Sequence, residues 1–160
     1  MDGLQRARRI WAHPLYQQEY QRLQTLERGR AYCRHDLYHF LDVARQCQIA
    51  VLEQQLPIAK DVVYAAALLH DLGKGMQYAE GIPHHEASAA LARKILPECG
   101  YLPSEIAQIT HAILLHRQKT DDTQPLAALL YQADKQTRLC FCCTASADCN
   151  WPDEKRTKQF

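Results

Sequence analysis

Residues 58–75 read IAKDVVYAAALLHDLGKG, and the rest of the chain is best read outward from them. Between Ile58 and Asp71 the string VVYAAALLH is apolar on nearly every side of a helical wheel, which marks a helix buried in the middle of a bundle. His70 and Asp71 emerge together at its end, and LGKG breaks it. An ionised carboxylate at the mouth of an apolar core carries a desolvation penalty that a divalent cation compensates. The plainer reading is an ordinary helix end, where His70 complements the helix dipole and Asp71 opens a turn at Gly73.

On either side, apolar residues recur at three and four, the period of helices with one buried face. A first helix is expected to open near Pro14, carry Leu15, Tyr16, Tyr20, Leu23 and Leu26, and stop at Gly29. A second should run from about Asp36 to Gln55, with Leu37, Phe40, Leu41, Val43, Ala44, Cys47 and Val51 inward and Pro57 beyond its end. After the central helix, one is expected from His85 to Leu96 ahead of Pro97, and one from an N-cap at Ser104 to about Gln118. Another opens at Pro125 as PLAALLYQADKQTRL. Strand alternation is nowhere convincing, and there is no internal repeat, so the expected fold is all-α with about six helices.

A chain of 160 residues with 47% apolar residues can bury the core of one domain. No apolar stretch approaches the roughly 20 residues of a membrane span. The N-terminal MDGLQRARRIWAHPLYQQEY lacks the apolar core of an export signal, so the cytoplasm is the expected address. A formal charge of +1, with no basic stripe interleaved with aromatics, argues against a dedicated nucleic-acid surface. Seven cysteines, an odd number, read as thiols or metal ligands rather than a disulfide framework.

His39, in HFLDVAR, and Asp134, in YQADKQTR, are polar residues flanked by core-type positions, as His70 and Asp71 are. Four ligand-type side chains beside the buried stripes of three helices suggest a common point inside a bundle, where metal sites are assembled. In their order and separation, His39 with Val43-Ala44, LLHDLGK at 68–74 and ADK at 133–135 resemble the HD-domain metal-dependent phosphohydrolases over roughly residues 31–138. The resemblance implies an all-helical HD fold in which His39, His70, Asp71 and Asp134 bind a metal.

Two further stretches are similar to those of dinuclear members. HHEASAALA aligns His84 with a ligand because Ser88 falls four residues later, with His85 as the alternative. ITHAILLHRQ aligns His116 rather than His111, and these two lie about 140° apart around a helix, so both do not face one ion. The resemblance then implies six ligands for two ions such as iron or manganese, with Asp71 as the bridge. His35 is left open between lining the site and supporting a ligand.

Paired ions activate water and neutralise phosphoryl charge, so no nucleophilic side chain is needed. Asp71, Lys74 and Arg117 are the candidate catalytic groups, the two cations as phosphate contacts, although Lys74 reads equally well as a helix-end lysine. Similarity to dinuclear members, particularly diadenosine tetraphosphate hydrolases, implies a small phosphorylated substrate, a nucleotide or a relative of one. Other dinuclear relatives run iron oxygenase chemistry, and a non-catalytic nucleotide, metal or redox sensor is a further reading.

The tail CFCCTASADCNWPDEKRTKQF places Cys140, Cys143 and Cys149 as C-x2-C-x5-C, with Cys142 as an alternative to Cys143. Its CF-x-C and CNW elements resemble a further group of HD proteins. Close thiolates grip soft metals, and Cys33 is the candidate fourth ligand for zinc or an iron–sulfur cluster. Ordinary reduced thiols are the simpler reading, and Cys47 and Cys99 fall on core positions. The expected organisation is an HD-type domain over 1–139 and a cysteine-rich tail over 140–160 packed on it, whose last ten residues are polar and expected to pack little.

Overall fold

Every segment with apolar recurrence at three and four is helical in the computed structural model, which describes residues 3–119 and 124–159. The helices are α1 (Gln5–Ala12), α2 (Pro14–Leu26), α3 (Leu37–Glu53), α4 (Lys60–Leu69), α5 (Lys74–Glu80), α6 (His84–Glu98), α7 (Pro103–Leu115) and α8 (Pro125–Gln136). Three 3-10 turns, Cys140–Cys142, Ser146–Asp148 and Asp153–Lys155, carry the tail. Among the described residues there is no strand, and no helix is long and apolar enough to cross a membrane.

The central position of α4 follows from its composition. Val62, Val63 and every residue from Ala65 to Leu69 are buried, and the helix packs against α1, α3, α6, α7 and α8. Three consecutive alanines give it a slim waist, so neighbours on several sides approach closely. At its end the Leu68 carbonyl, which a helix terminus leaves without an internal partner, accepts a 3.0 Å hydrogen bond from the fully buried Tyr16 hydroxyl of α2. Just beyond, Leu69 and Leu72 are fully buried on either side of His70 and Asp71, anchoring the turn that carries them.

Two helices were not expected. In α1 the spaced residues Ala7 and Ile10 are buried against the core, while Arg6 pairs with Asp61 at 3.1 Å and Glu105 at 2.6 Å. Its arginine-rich face hid this short apolar stripe. The LGKG break lasts only one turn, and the chain resumes as α5 at Lys74. Pro97 falls within the last turn of α6, where its missing N–H costs one hydrogen bond to the exposed Arg93. The start of α7 is set by Pro103 at the first helical position and by the Leu102 N–H, which donates to Glu105 at 2.8 Å; Ser104 lies inside the turn.

Most of the described residues after Trp151 are exposed, and one side chain among them, Arg156, ties the segment down. The Arg156 guanidinium donates to the carbonyls of Trp151, Ser146 and Cys149 at 2.9, 3.1 and 2.6 Å. One arginine in the middle of three carbonyls supplies the order that apolar burial does not.

Tyr16→Phe leaves the Leu68 carbonyl buried without its donor. Denaturant unfolding is expected to register a loss of about 1–3 kcal/mol, with the helical circular dichroism unchanged.

Candidate metal centre

Helix ends supply most of the centre. His70 and His116 are the C-cap residues of α4 and α7, where the last carbonyls lack helical partners. Each imidazole folds back on the carbonyl three residues earlier: His70 Nδ1 lies 2.7 Å from Ala67 O, and His116 Nδ1 lies 2.6 Å from Ile113 O. The strings ALLH and ILLH that precede them are near copies, a signal that sequence inspection could have used. His84, the first residue of α6, has Nδ1 2.6 Å from Gln77 Oε1 of α5. All three rings therefore carry a proton on Nδ1 and turn Nε2 inward.

Around Asp71 the six expected residues meet. Its Oδ2 lies 3.2 Å from His70 Nε2, and its Oδ1 lies 3.2 Å from His84 Nε2 and 3.5 Å from His116 Nε2. Asp134 Oδ1 lies 3.1 Å from His39 Nε2 and 3.6 Å from His70 Nε2. Two groups could each hold an ion, with ligand atoms within 4.8 Å of one another: His39, His70, Asp71 and Asp134, and Asp71, His84 and His116. Asp71 belongs to both.

His85 points to Glu86 at 3.9 Å instead, and His111 lines a groove with Arg93 and Pro97. His35 precedes α3 rather than lying on it, and its Nε2 stands 3.6 Å from Asp71 Oδ2.

Donor chemistry fits a divalent cation. Nε2 of His39 and of His70 and Oδ1 of Asp71 are buried without a hydrogen-bond partner among the described residues. His84 Nε2 and His116 Nε2 approach to 3.3 Å. With both protons on Nδ1, two lone pairs confront each other there, and a cation relieves that repulsion.

The electrostatics agree. Burial works to raise both carboxyls, but the imidazoles of His70 and His35 hold Asp71 well below the usual range, and those of His39 and His70 do so for Asp134. Burial pushes His39 down to about 4 and His84 to about 2, so both rings are neutral at pH 7. Burial lowers His70 too, yet its place between two carboxylates carries it up to about 9.

Gly73 explains why these parts meet. A Cβ there would lie 2.5 Å from Ser88 N and 2.7 Å from His84 O, so only glycine lets the turn after α4 touch the first turn of α6. Ser88 Oγ accepts from Gly73 N at 2.8 Å, which is the physical role of the small residue four places after His84.

Residues missed by sequence reasoning complete the surroundings. Glu27, 2% exposed, accepts from His35 N at 2.8 Å, from Tyr78 OH at 2.8 Å and from His35 Nδ1 at 2.5 Å. Burial opposes ionisation, but these bonds draw its carboxyl down to about 2. A recess of about 190 Å³ opens above the centre, with Lys74, Arg117, Lys135, Arg138, Lys155 and Trp151 on its walls. Lys135 pairs with Asp134. Burial lowers the Lys74 amine. ADK contained Lys135, but nothing in sequence connects Lys155, 84 residues beyond Asp71, with this rim.

The HD domain family matches residues 36–139. This chain belongs to the HD-domain family. Among similar proteins, an uncharacterised protein of Clostridium beijerinckii is 43% identical over 135 residues, covering 84% of this chain and 85% of that protein. Ribonuclease Y of Syntrophobacter fumaroxidans is 30% identical over 132 residues, 82% of this chain but 24% of its own length, so the chain spans about a quarter of that enzyme. In three dimensions the HD fold is shared with a predicted HD superfamily hydrolase from an uncultured Thermotogales bacterium, with a TM-score of 0.63, 22% identity, and 88% and 80% of the two chains covered.

His70 holds a proton at neutral pH where a cation would be held. Divalent-ion binding is expected to release about one proton per protein at pH 7 and to tighten as pH rises toward about 9. Calorimetry in buffers of different ionisation enthalpy reads the proton count directly.

Proposed function

We propose that this HD-domain protein is a metal-dependent phosphohydrolase acting on a phosphoester or phosphoanhydride of a nucleotide or related small phosphorylated molecule. The observation that carries this reading is the sharing of Asp71, whose Oδ2 faces His70 while Oδ1 faces His84 and His116. On it, His39, His70, Asp71 and Asp134 hold one divalent ion, iron or manganese, and Asp71, His84 and His116 hold a second. Bound ions at such a site lower the pKa of water and neutralise charge on a phosphoryl group.

The chain's own residues supply the remainder. Lys74 and Arg117 line the recess and would contact phosphate oxygens, with Lys135, Arg138 and Lys155 adding positive charge for a polyanion. Trp151 offers an aromatic wall to a base. The Glu27 carboxylate holds the Nδ1 proton of His35, leaving His35 Nε2, 3.6 Å from Asp71 Oδ2, to accept a proton from the attacking water. Seven free thiols fit a reducing compartment, the cytoplasm.

The test is a panel of nucleoside polyphosphates, phosphodiesters and short RNA assayed for product with manganese, iron, cobalt and magnesium. Asp71→Ala is expected to lose on the order of 10³-fold or more of turnover. His35→Ala is expected to lose about 10²–10⁴-fold in kcat while retaining metal. Dioxygen consumption without phosphoester cleavage would overturn the reading in favour of an iron oxygenase. Nucleotide binding without turnover under any metal would overturn it in favour of a sensor.

A further inference from the structure

We propose that Cys33, Cys140, Cys143 and Cys149 form a second centre, separate from the His/Asp site, that holds an iron–sulfur cluster through four thiolates. The four come from three places in the fold. Cys33 lies between α2 and α3, Cys140 and Cys143 bracket the first 3-10 turn, and Cys149 follows the second. Cys33 lines two adjoining hollows, one shared with Cys140, Cys142 and Cys143 and the other with Cys149. All four are half-buried. Burial raises the Cys33 thiol, and the sulfurs of Cys140, Cys143 and Cys149 all add to that, so the four are electrostatic neighbours.

Hydrogen bonds fasten the two cysteine-bearing segments to each other. Tyr32 OH donates to the Asp148 carbonyl at 3.2 Å, and Arg138 donates to Arg34 O at 2.7 Å. Cys140 N donates to Thr157 Oγ1 at 3.1 Å, and Arg156 holds the Cys149 carbonyl. The tail contains no buried apolar residue among those described from 141 to 159, so packing alone does not account for this gathering. Thiolate ligation to a soft metal adds to the hydrogen bonds that hold it. Cys142 borders the same hollow, but its side chain is exposed and its thiol turns to the Leu139 carbonyl at 3.5 Å. Cys47 and Cys99 are core residues, each 1% exposed.

Spacing counts against a single zinc. Tetrahedral zinc with bonds of about 2.3 Å sets its sulfurs about 3.8 Å apart. Among the described residues no three cysteine sulfurs lie within 4.8 Å of one another. A cluster attaches its thiolates to different irons and holds them wider. The cluster also meets the first site through the walls: Trp151 and Lys155 of the same tail line the recess, and Arg138 borders both the recess and the cysteine hollows.

Acid-labile sulfide, iron and zinc in the anaerobically purified full chain test this. Sulfide is expected in the wild type, in Cys142→Ser and in Asp71→Ala, and its loss is expected in Cys140→Ser and Cys149→Ser. Because the His/Asp site holds no sulfide, this readout is independent of whether that site hydrolyses anything. Circular dichroism checks that each variant folds. Should either cysteine variant fail to fold, metal-free wild type exposed to ferrous iron and sulfide decides the matter by developing, or not developing, the visible charge-transfer bands of a cluster. Zinc bound without sulfide, or no sulfide before or after reconstitution, would overturn the proposal.

Discussion

Two carboxylates are held inside an apolar bundle, and the structure is organised around their need for positive charge. Asp71 is 3% exposed and Asp134 is 6% exposed, positions at which an unpaired anion is costly. Five imidazoles approach them with Nε2 foremost, and four of those rings have committed Nδ1 to an acceptor behind them. Protein groups alone leave the arrangement incomplete, because several inward atoms have no hydrogen-bond partner among the described residues. A site so loaded with acceptor atoms is prepared for cations.

The scaffold meets this demand mostly with helix ends rather than helix faces. C-terminal carbonyls orient His70 and His116, and the first turn of α6 presents His84 across the contact that Gly73 permits. The same terminal groups that would otherwise need solvent thus become the positioning devices of the site. Rigid elements converge, and only short turns lie between them and the ligands, which limits how far any one ring can drift.

Outside this centre the charge reverses. Five cations ring a recess whose floor is anionic, and two of its wall residues, Trp151 and Lys155, belong to the cysteine-bearing tail. Arg138 is 8% exposed and borders the floor of the recess as well as the hollows beside Cys33. Anything that orders the tail therefore shapes the place where a phosphorylated ligand would enter. The Glu27–His35 pair adds a polar group of the opposite kind, a neutral ring steadied by a carboxylate at the edge of the ligand cluster.

Periodicity and punctuation were enough to determine the helices of the bundle, the burial of α4, and the candidacy of His39, His70, Asp71 and Asp134, because each of these follows from local pattern: apolar recurrence, a break, and polar residues at core-type positions. The choice of His84 over His85 and of His116 over His111 rested on resemblance, and the structure brings the first of each pair to Asp71. Short α1 and α5 escaped notice because few residues carry their apolar stripes. Only tertiary structure could decide which residues meet across the bundle: Glu27 behind His35, Gln77 behind His84, Lys155 and Trp151 over Asp71. Those contacts join points up to 84 residues apart in the chain, and no local pattern encodes them, since they arise from packing whole helices against one another rather than from the preferences of the segments themselves.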